Sequence, residues 1–206
     1  MDKKEFYIKS YCTIENGVIA LNGRPVFQDD EKDFLKFIKS AYKSLEIGYP
    51  KFYKMDALSK LSFIAADVLL DHEKVMPEDE KNIAIVFSNK ASSLDTDRKH
   101  QASIEDEEGY GASPSVFVYT LPNICIGEIS IKYKLYSENS FFIFDRFNAA
   151  HLHQYAESLL KTEKADEVLC GWVDVDGESY SAYIYLVSQK GEIQHKEEEI
   201  YRLYNN

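Results

Sequence analysis

This chain is short of most features that announce a function class. Its three cysteines, Cys12, Cys125 and Cys170, stand far apart, without the paired spacing of a metal finger or a disulfide framework. Cysteines used this way suit a reducing compartment, so a cytoplasmic location is expected. A basic excess is also missing: 24 Lys and Arg against 35 Asp and Glu leave a net charge of -11. That argues against a nucleic-acid partner, because nucleic-acid binders neutralise phosphates with a basic face. No apolar run approaches the ~20 residues of a membrane span. The start, Met1-Asp2-Lys3-Lys4-Glu5, leads into a strand rather than a signal-peptide core, so a membrane is not an expected partner either. There is no internal repeat and no interdomain linker, and no glycine fingerprint for phosphate. No cofactor or metal is expected.

What is present is an ordinary globular composition. Across 206 residues, 45% are hydrophobic and 29% charged, enough for a single domain over residues 1–206 that buries roughly 70% of its unfolded surface. The 15 Tyr and 12 Phe read as aromatic packing in core and sheet.

The organising stretch runs from Asn139 to Gly177. Ser140–Phe144 reads as a strand, apolar on both faces as an interior strand is. Asp145-Arg146-Phe147 is a sharp turn, Asn148–Thr162 a helix with Ala149, Leu152, Ala156, Leu159 and Leu160 on one face, and Glu167–Val173 a second strand. Upstream, Glu5–Thr13 reads as a strand, with turns at Glu15-Asn16-Gly17 and Asn22-Gly23 around Val18–Leu21. Phe34, Leu35, Ile38, Ala41, Tyr42 and Leu45 form a helical stripe capped by Asp29 or Asp30. Tyr49–Asp56 connects it to a second amphipathic helix, built on Leu58, Leu61, Ile64, Ala65, Val68 and Leu69. Asn82–Ser88 is a buried strand by its β-branched content. Asn89–Gly111 is a polar surface excursion with one helix near Thr96–Glu105. Val116–Thr120 reads as extended and Ile124–Tyr133 as a short helix. Asp174–Gly177 is a turn, Ser181–Ser188 a Tyr-rich strand returning into Glu192–His195, and Lys196–Asn206 a charged, frayed helix. The expected core includes Ile85, Val86, Phe142, Phe144, Leu152, Leu159, Val168 and Leu169.

The segment order resembles that of a known family. Ser113-Pro114-Ser115-Val116-Phe117, then Leu121-Pro122-Asn123, then Gly127-Glu128-Ile129-Ser130-Ile131-Lys132-Tyr133 is similar to the Ser-Pro…Pro-Asn…Gly-x-x-Ser-Ile segment of the β-ketoacyl-acyl-carrier-protein synthases. Asn139 matches the asparagine before their nucleophile strand. Ala165-Asp166-Glu167-Val168-Leu169-Cys170-Gly171-Trp172-Val173-Asp174 resembles their Ala-Asp-x-x-x-x-Gly-Gly-x-Glu strand. The resemblance spans nearly the whole chain and is to the family's N-terminal half. It implies an α/β, thiolase-like half-fold with a mixed sheet of about five strands flanked by helices.

The same resemblance implies a lost activity. The family's nucleophile is a cysteine in a Thr-Ala-Cys turn; here Phe144-Asp145-Arg146 takes that place, with Arg146 near the cysteine. No Cys lies between Cys125 and Cys170. The family's decarboxylating histidines belong to its C-terminal half, which this chain is expected to lack. The expectation is a non-catalytic accessory subunit of a ketosynthase system making fatty-acid, polyketide or aryl-polyene-type chains. Its partners would be a second copy through Ser140–Phe144 or a full-length ketosynthase, with an acyl carrier protein as a further partner. The alternative is a small enzyme acting on an acyl or carbonyl compound with Asp145, Arg146 and His151 at the turn. The structural readings of those residues are an ion pair for Asp145-Arg146, with Asp145 assisting the cap, and a polar helix side for His151 and His153. Two histidines two apart do not share a helix face and are poor co-ligands.

Overall fold

The computed structural model describes residues 4–105 and 112–206. Its first strand, Tyr7–Glu15 (β1), buries every second residue, the period of a pleated strand. A bulge between Ile8 and Ser10 turns the strand over. Ile8 therefore enters one core, while Cys12 and Ile14 enter the other. Two Asn-Gly pairs fold the next segment back: Asn16-Gly17 and Asn22-Gly23 all have positive φ, as tight type I′ hairpins require. They frame Val18–Leu21 (β2) and lead into Arg24–Gln28 (β3).

Phe34–Ser44 (α1) follows, capped by Asp33, whose carboxylate accepts from Lys36 N. The expected caps, Asp29 and Asp30, are not used; Asp29 accepts from Glu31 N in the preceding turn instead. A 3₁₀ turn, Pro50–Lys54, leads to Ala57–His72 (α2), capped by Asp56. Then come Ile83–Asn89 (β4) and Leu94–Glu105 (α3). The remainder of the 89–111 excursion, 106–111, lies outside the described residues. Val116–Thr120 is helical rather than extended, because Pro114 opens a turn of helix (Pro114–Phe117, α4) that runs on as 3₁₀ through Val118–Thr120; a proline at the first helical position costs no hydrogen bond.

Ile124–Tyr133 (α5) is as expected. After it come Asn139–Ile143 (β5), Ala149–Lys161 (α6), Glu167–Asp176 (β6) and Ser179–Ser188 (β7). Strand β6 runs three residues past the expected Val173, so the turn sits at Gly177-Glu178, where Gly177 has φ 62°. Ile193–Gln194 (β8) is brief. The C-terminus is not frayed: Glu197–Tyr204 (α7) buries Ile200 and Leu203.

Among the described residues one mixed sheet joins eight strands in the order β3-β2-β1-β7-β6-β4-β5, with β8 also pairing β1. The five strands β1-β7-β6-β4-β5 answer to the expected five-strand sheet; β7 runs opposite to the other four. The added strands lie on the β1 side: β2 and β8 pair β1, and β3 pairs β2. Alternate residues feed two cores. Ile85, Phe87, Leu169, Val173, Ile184 and Leu186 face α1, α2 and α5; Val86, Val168, Cys170, Trp172, Tyr183 and Tyr185 face α6 and α7. The result is a three-layer α/β/α arrangement.

The expected interior strand is the one clear displacement. Among the described residues β5 ends the sheet and pairs only β4, so Phe142 and Phe144 are half-buried and Ile143 is 55% exposed. The other six expected core residues are buried. An all-apolar run reads as interior because both faces are apolar; whether a strand lies on each side is a matter of topology.

Gly171 sits where β6 crosses under Phe87. A Cβ there would lie 2.4 Å from Ile184 Cγ2 and 3.1 Å from Phe87 Cδ1. Gly171→Ala is expected to destabilise the fold by about 1–3 kcal/mol through overpacking, read as a lower urea midpoint at unchanged slope.

Candidate functional site at the strand–helix turn

Strand β5 and helix α6 are joined by Phe144–Asn148. The chain leaves the sheet with Phe144 N donating to Asn89 O at 2.9 Å, bends at Asp145 and Arg146, and re-enters the core at Phe147. Phe147 is a plug. Its ring stacks on Tyr204 at 4.1 Å and meets Trp172, Tyr183 and Tyr201 edge-on. Offset and edge-to-face rings of this kind hold position beyond their area burial. The hydroxyl of Tyr201 donates to Phe147 O at 3.3 Å, so α7 fixes the turn from below.

Asp145 and Arg146 are both exposed, and no ion pair between them is found among the described residues. The expected buried or interfacial pair is not formed in this chain: Phe147 enters the core, and the two preceding side chains face outward. Asp145 does not cap the helix. Asn148 does, its side-chain oxygen accepting from His151 N at 3.0 Å. A single residue, the buried Phe147, separates the outward turn at Asp145-Arg146 from the cap at Asn148.

His151 is the member of the predicted trio that the fold encloses. Its ring meets Phe142 at 4.4 Å and Phe144 at 5.0 Å, both edge-on, and lies against Tyr155. Nε2 is buried without a hydrogen-bond partner among the described residues, and loss of solvent pushes the imidazole below its usual pKa. So His151 covers the apolar inner side of β5 rather than lying on a polar face. His153 points away from it, toward Glu157 and His195. Tyr155 continues the cover: its hydroxyl donates to Glu138 Oε1 at 2.9 Å and meets Ser140 Oγ at 3.0 Å, while Lys164 pairs with Glu138.

The loop after β4, next to the turn, is closed on itself. Asn89 accepts from Ser92 N and donates to Ser92 O, and Asp174 accepts from Lys90 N and Ala91 N. Ser93 Oγ donates to Thr120 O at 2.5 Å. These polar groups at the strand end serve the loop itself. The cysteines lie in the core: burial pushes the thiols of Cys125 and Cys170 up to about 12, so they stay protonated and unreactive.

A separate cleft of about 550 Å³ opens beside α2, lined by Asp56, Lys60, Thr96, Ser115 and Tyr119 among others. Lys60 is buried there, donates to Met55 O, and burial pulls its amine down to about 8. Sequence reasoning passed over Lys60, because a lysine inside an amphipathic pattern reads as the solvent side. The signal was present in the crowding of apolar residues around it in Leu58–Ala66.

The chain matches no family model, and no curated protein matches it. Among solved structures, it is similar to the ishigamide ketosynthase/chain length factor, with a TM-score of 0.65, 13% identity, and coverage of 89% of this chain and 62% of that one. It is similar also to a chain of the ketosynthase ApeO in complex with its chain length factor ApeC from Xenorhabdus doucetiae, with a TM-score of 0.60, 14% identity, and coverage of 98% and 91%. A third is a β-ketoacyl synthase from Burkholderia phymatum STM815, with a TM-score of 0.60, 10% identity, and coverage of 91% and 60%. The chain therefore has the ketosynthase-like, thiolase-like fold, and it spans about three fifths of the length of the first of these structures.

Asn148→Ala is expected to cost about 1 kcal/mol of stability by uncapping α6, whereas Asp145→Ala and Arg146→Ala leave the denaturation midpoint unchanged. The three urea curves check the assignment of the cap.

Proposed function

We propose that this chain is a non-catalytic ketosynthase-like subunit that pairs through β5. Its partner is a second copy or a full-length ketosynthase, in an assembly making fatty-acid, polyketide or aryl-polyene-type chains. The observation that carries the reading is the turn itself. In a condensing enzyme of this fold, the strand–helix turn presents a thiolate that holds the acyl chain. Here the turn presents Asp145 and Arg146 to solvent, and the nearest part of the chain inside it is an aromatic plug. The thiols elsewhere are buried and protonated.

The partner half of the proposal rests on the edge. Strand β5 hydrogen-bonds β4 on one side, and among the described residues β4 is its only neighbour in the sheet. A free edge carrying Phe141, Phe142 and Ile143, with no proline, lysine or glycine within Asn139–Ile143, invites another strand. The stretch of chain before β5 also carries exposed apolar side chains: Phe117, Leu121, Ile131 and Tyr136. Apolar surface gathered on neighbouring stretches of one chain marks an interaction site more often than a solvated face. The similar chain in the ApeO–ApeC complex is barely longer than this one, since 98% of one covers 91% of the other. That supports a role beside a ketosynthase.

Two measurements test the reading. Light scattering on the purified protein, alone and mixed with a full-length ketosynthase from the same source, is expected to give a dimer mass in at least one case. Ile143→Lys is expected to abolish it. A monomer in both would overturn the pairing. Incubation with acyl and malonyl carrier-protein thioesters is expected to leave the intact mass unchanged; a stoichiometric acyl adduct would overturn the non-catalytic assignment.

A further inference from the structure

A second cluster of chemistry lies on the far side of α6 from β5. His153 and Glu157 stand four residues apart and so share a helix face; His153 Nε2 is 3.3 Å from Glu157 Oε1. His195 comes from the segment just after β8. Its position is set by the backbone, because β8 pairs with β1 and His195 N donates to Phe6 O at 2.9 Å. The rings of His153 and His195 lie 4.9 Å apart. One ligand atom from each of the three residues falls within 4.8 Å of the others.

The His195 side chain is what asks for a ligand. It is only 3% exposed, and among the described residues neither ring nitrogen has a hydrogen-bond partner. An imidazole always carries at least one N–H, so two unpaired nitrogens in a buried site leave a polar group unsatisfied. Tyr185 lies beside the ring without bonding to it. Toward solvent, the cluster opens into a cleft of about 300 Å³ lined also by Lys4, Glu5 and Lys196.

We propose that His153, Glu157 and His195 bind one zinc-class divalent transition-metal ion, leaving a fourth position for water. The donor set selects the class: two imidazoles and one carboxylate suit zinc and its neighbours, whereas magnesium and calcium take oxygen ligands. The geometry is close to ready. Bonds of about 2.1 Å to a tetrahedral ion hold neighbouring ligand atoms roughly 3.4 Å apart. His153 and Glu157 already have that spacing, and His195, within 4.8 Å of the other two, has to approach by up to about 1.4 Å. The other carboxylate oxygen of Glu157 is held by Lys161, an outer partner that orients the ligand. Three lysines around the cleft, Lys4, Lys161 and Lys196, oppose the incoming charge and weaken the affinity. Bound there, the ion ties the segment after β8, and α7 behind it, to α6. This site is independent of the proposed pairing through β5.

The test is zinc titration of the full chain against a chromophoric chelator, with cobalt substitution as the spectroscopic readout. One ion per chain is expected, with visible cobalt bands of a low-coordinate nitrogen and oxygen site and a rise in Tm on zinc addition. His153→Ala and Glu157→Gln, both at the cleft rim and neither part of the core, are each expected to weaken binding at least tenfold and to abolish the Tm rise. Exposed His72→Ala serves as the control and is expected to leave binding as it was. No zinc uptake at 100-micromolar free metal, or uptake that His153→Ala leaves unchanged, would overturn the site.

Discussion

The structure depends on the insertion of β4 between β5 and β6. All seven residues of that strand are buried, and its parallel register to both neighbours brings the carboxyl ends of three strands to one end of the sheet. A parallel strand has to be covered on both faces by crossover helices. That requirement places α5 on one side, before β5, and α6 on the other, before β6. It also explains why Gly171 is there: Phe87 of β4 and Ile184 of β7 meet over the one position in β6 that has no side chain.

The two helical layers are not equivalent. On one side α2 is buried nearly all round, between the sheet and helices α1 and α5, so that even Lys60, Ser62 and Asp67 are enclosed. Asp67 answers this by accepting from Tyr133 at 2.6 Å and pairing with Lys132, since a buried carboxylate without partners is costly. On the other side α6 keeps Gln154 and Ser158 in solvent. The molecule thus has one thick, closed layer and one thin layer, with the open edge at β5.

That asymmetry gives the functional reading its physical basis. A turn that seats a reactive group has to hold it in a recess where the surroundings tune its charge. Here the recess is filled by Phe147, and the two residues before it point out. The turn carries the chain from an edge strand into a helix capped by Asn148. The chemistry-bearing side chains that the fold does bring together, His153, Glu157 and His195, lie elsewhere on α6 and come from distant parts of the chain.

Local order was legible from the residues. The Asn-Gly pairs determined both hairpins, because only residues that accept positive φ fit those turns. The apolar spacing of Ala149, Leu152, Ala156 and Leu159 determined the α6 face, and the β-branched run at Ile83–Phe87 determined a buried strand. The order of motifs pointed to the ketosynthase-like fold, which the solved structures bear out. Neighbourhood was not legible. That Phe141–Ile143 lies at an edge, that Phe147 rather than an Asp145–Arg146 pair fills the turn, and that His195 comes to rest 4.9 Å from His153 were decided by the tertiary structure. Sequence periodicity records which face of an element is apolar; what stands opposite that face depends on strand order and on contacts between residues far apart in the chain.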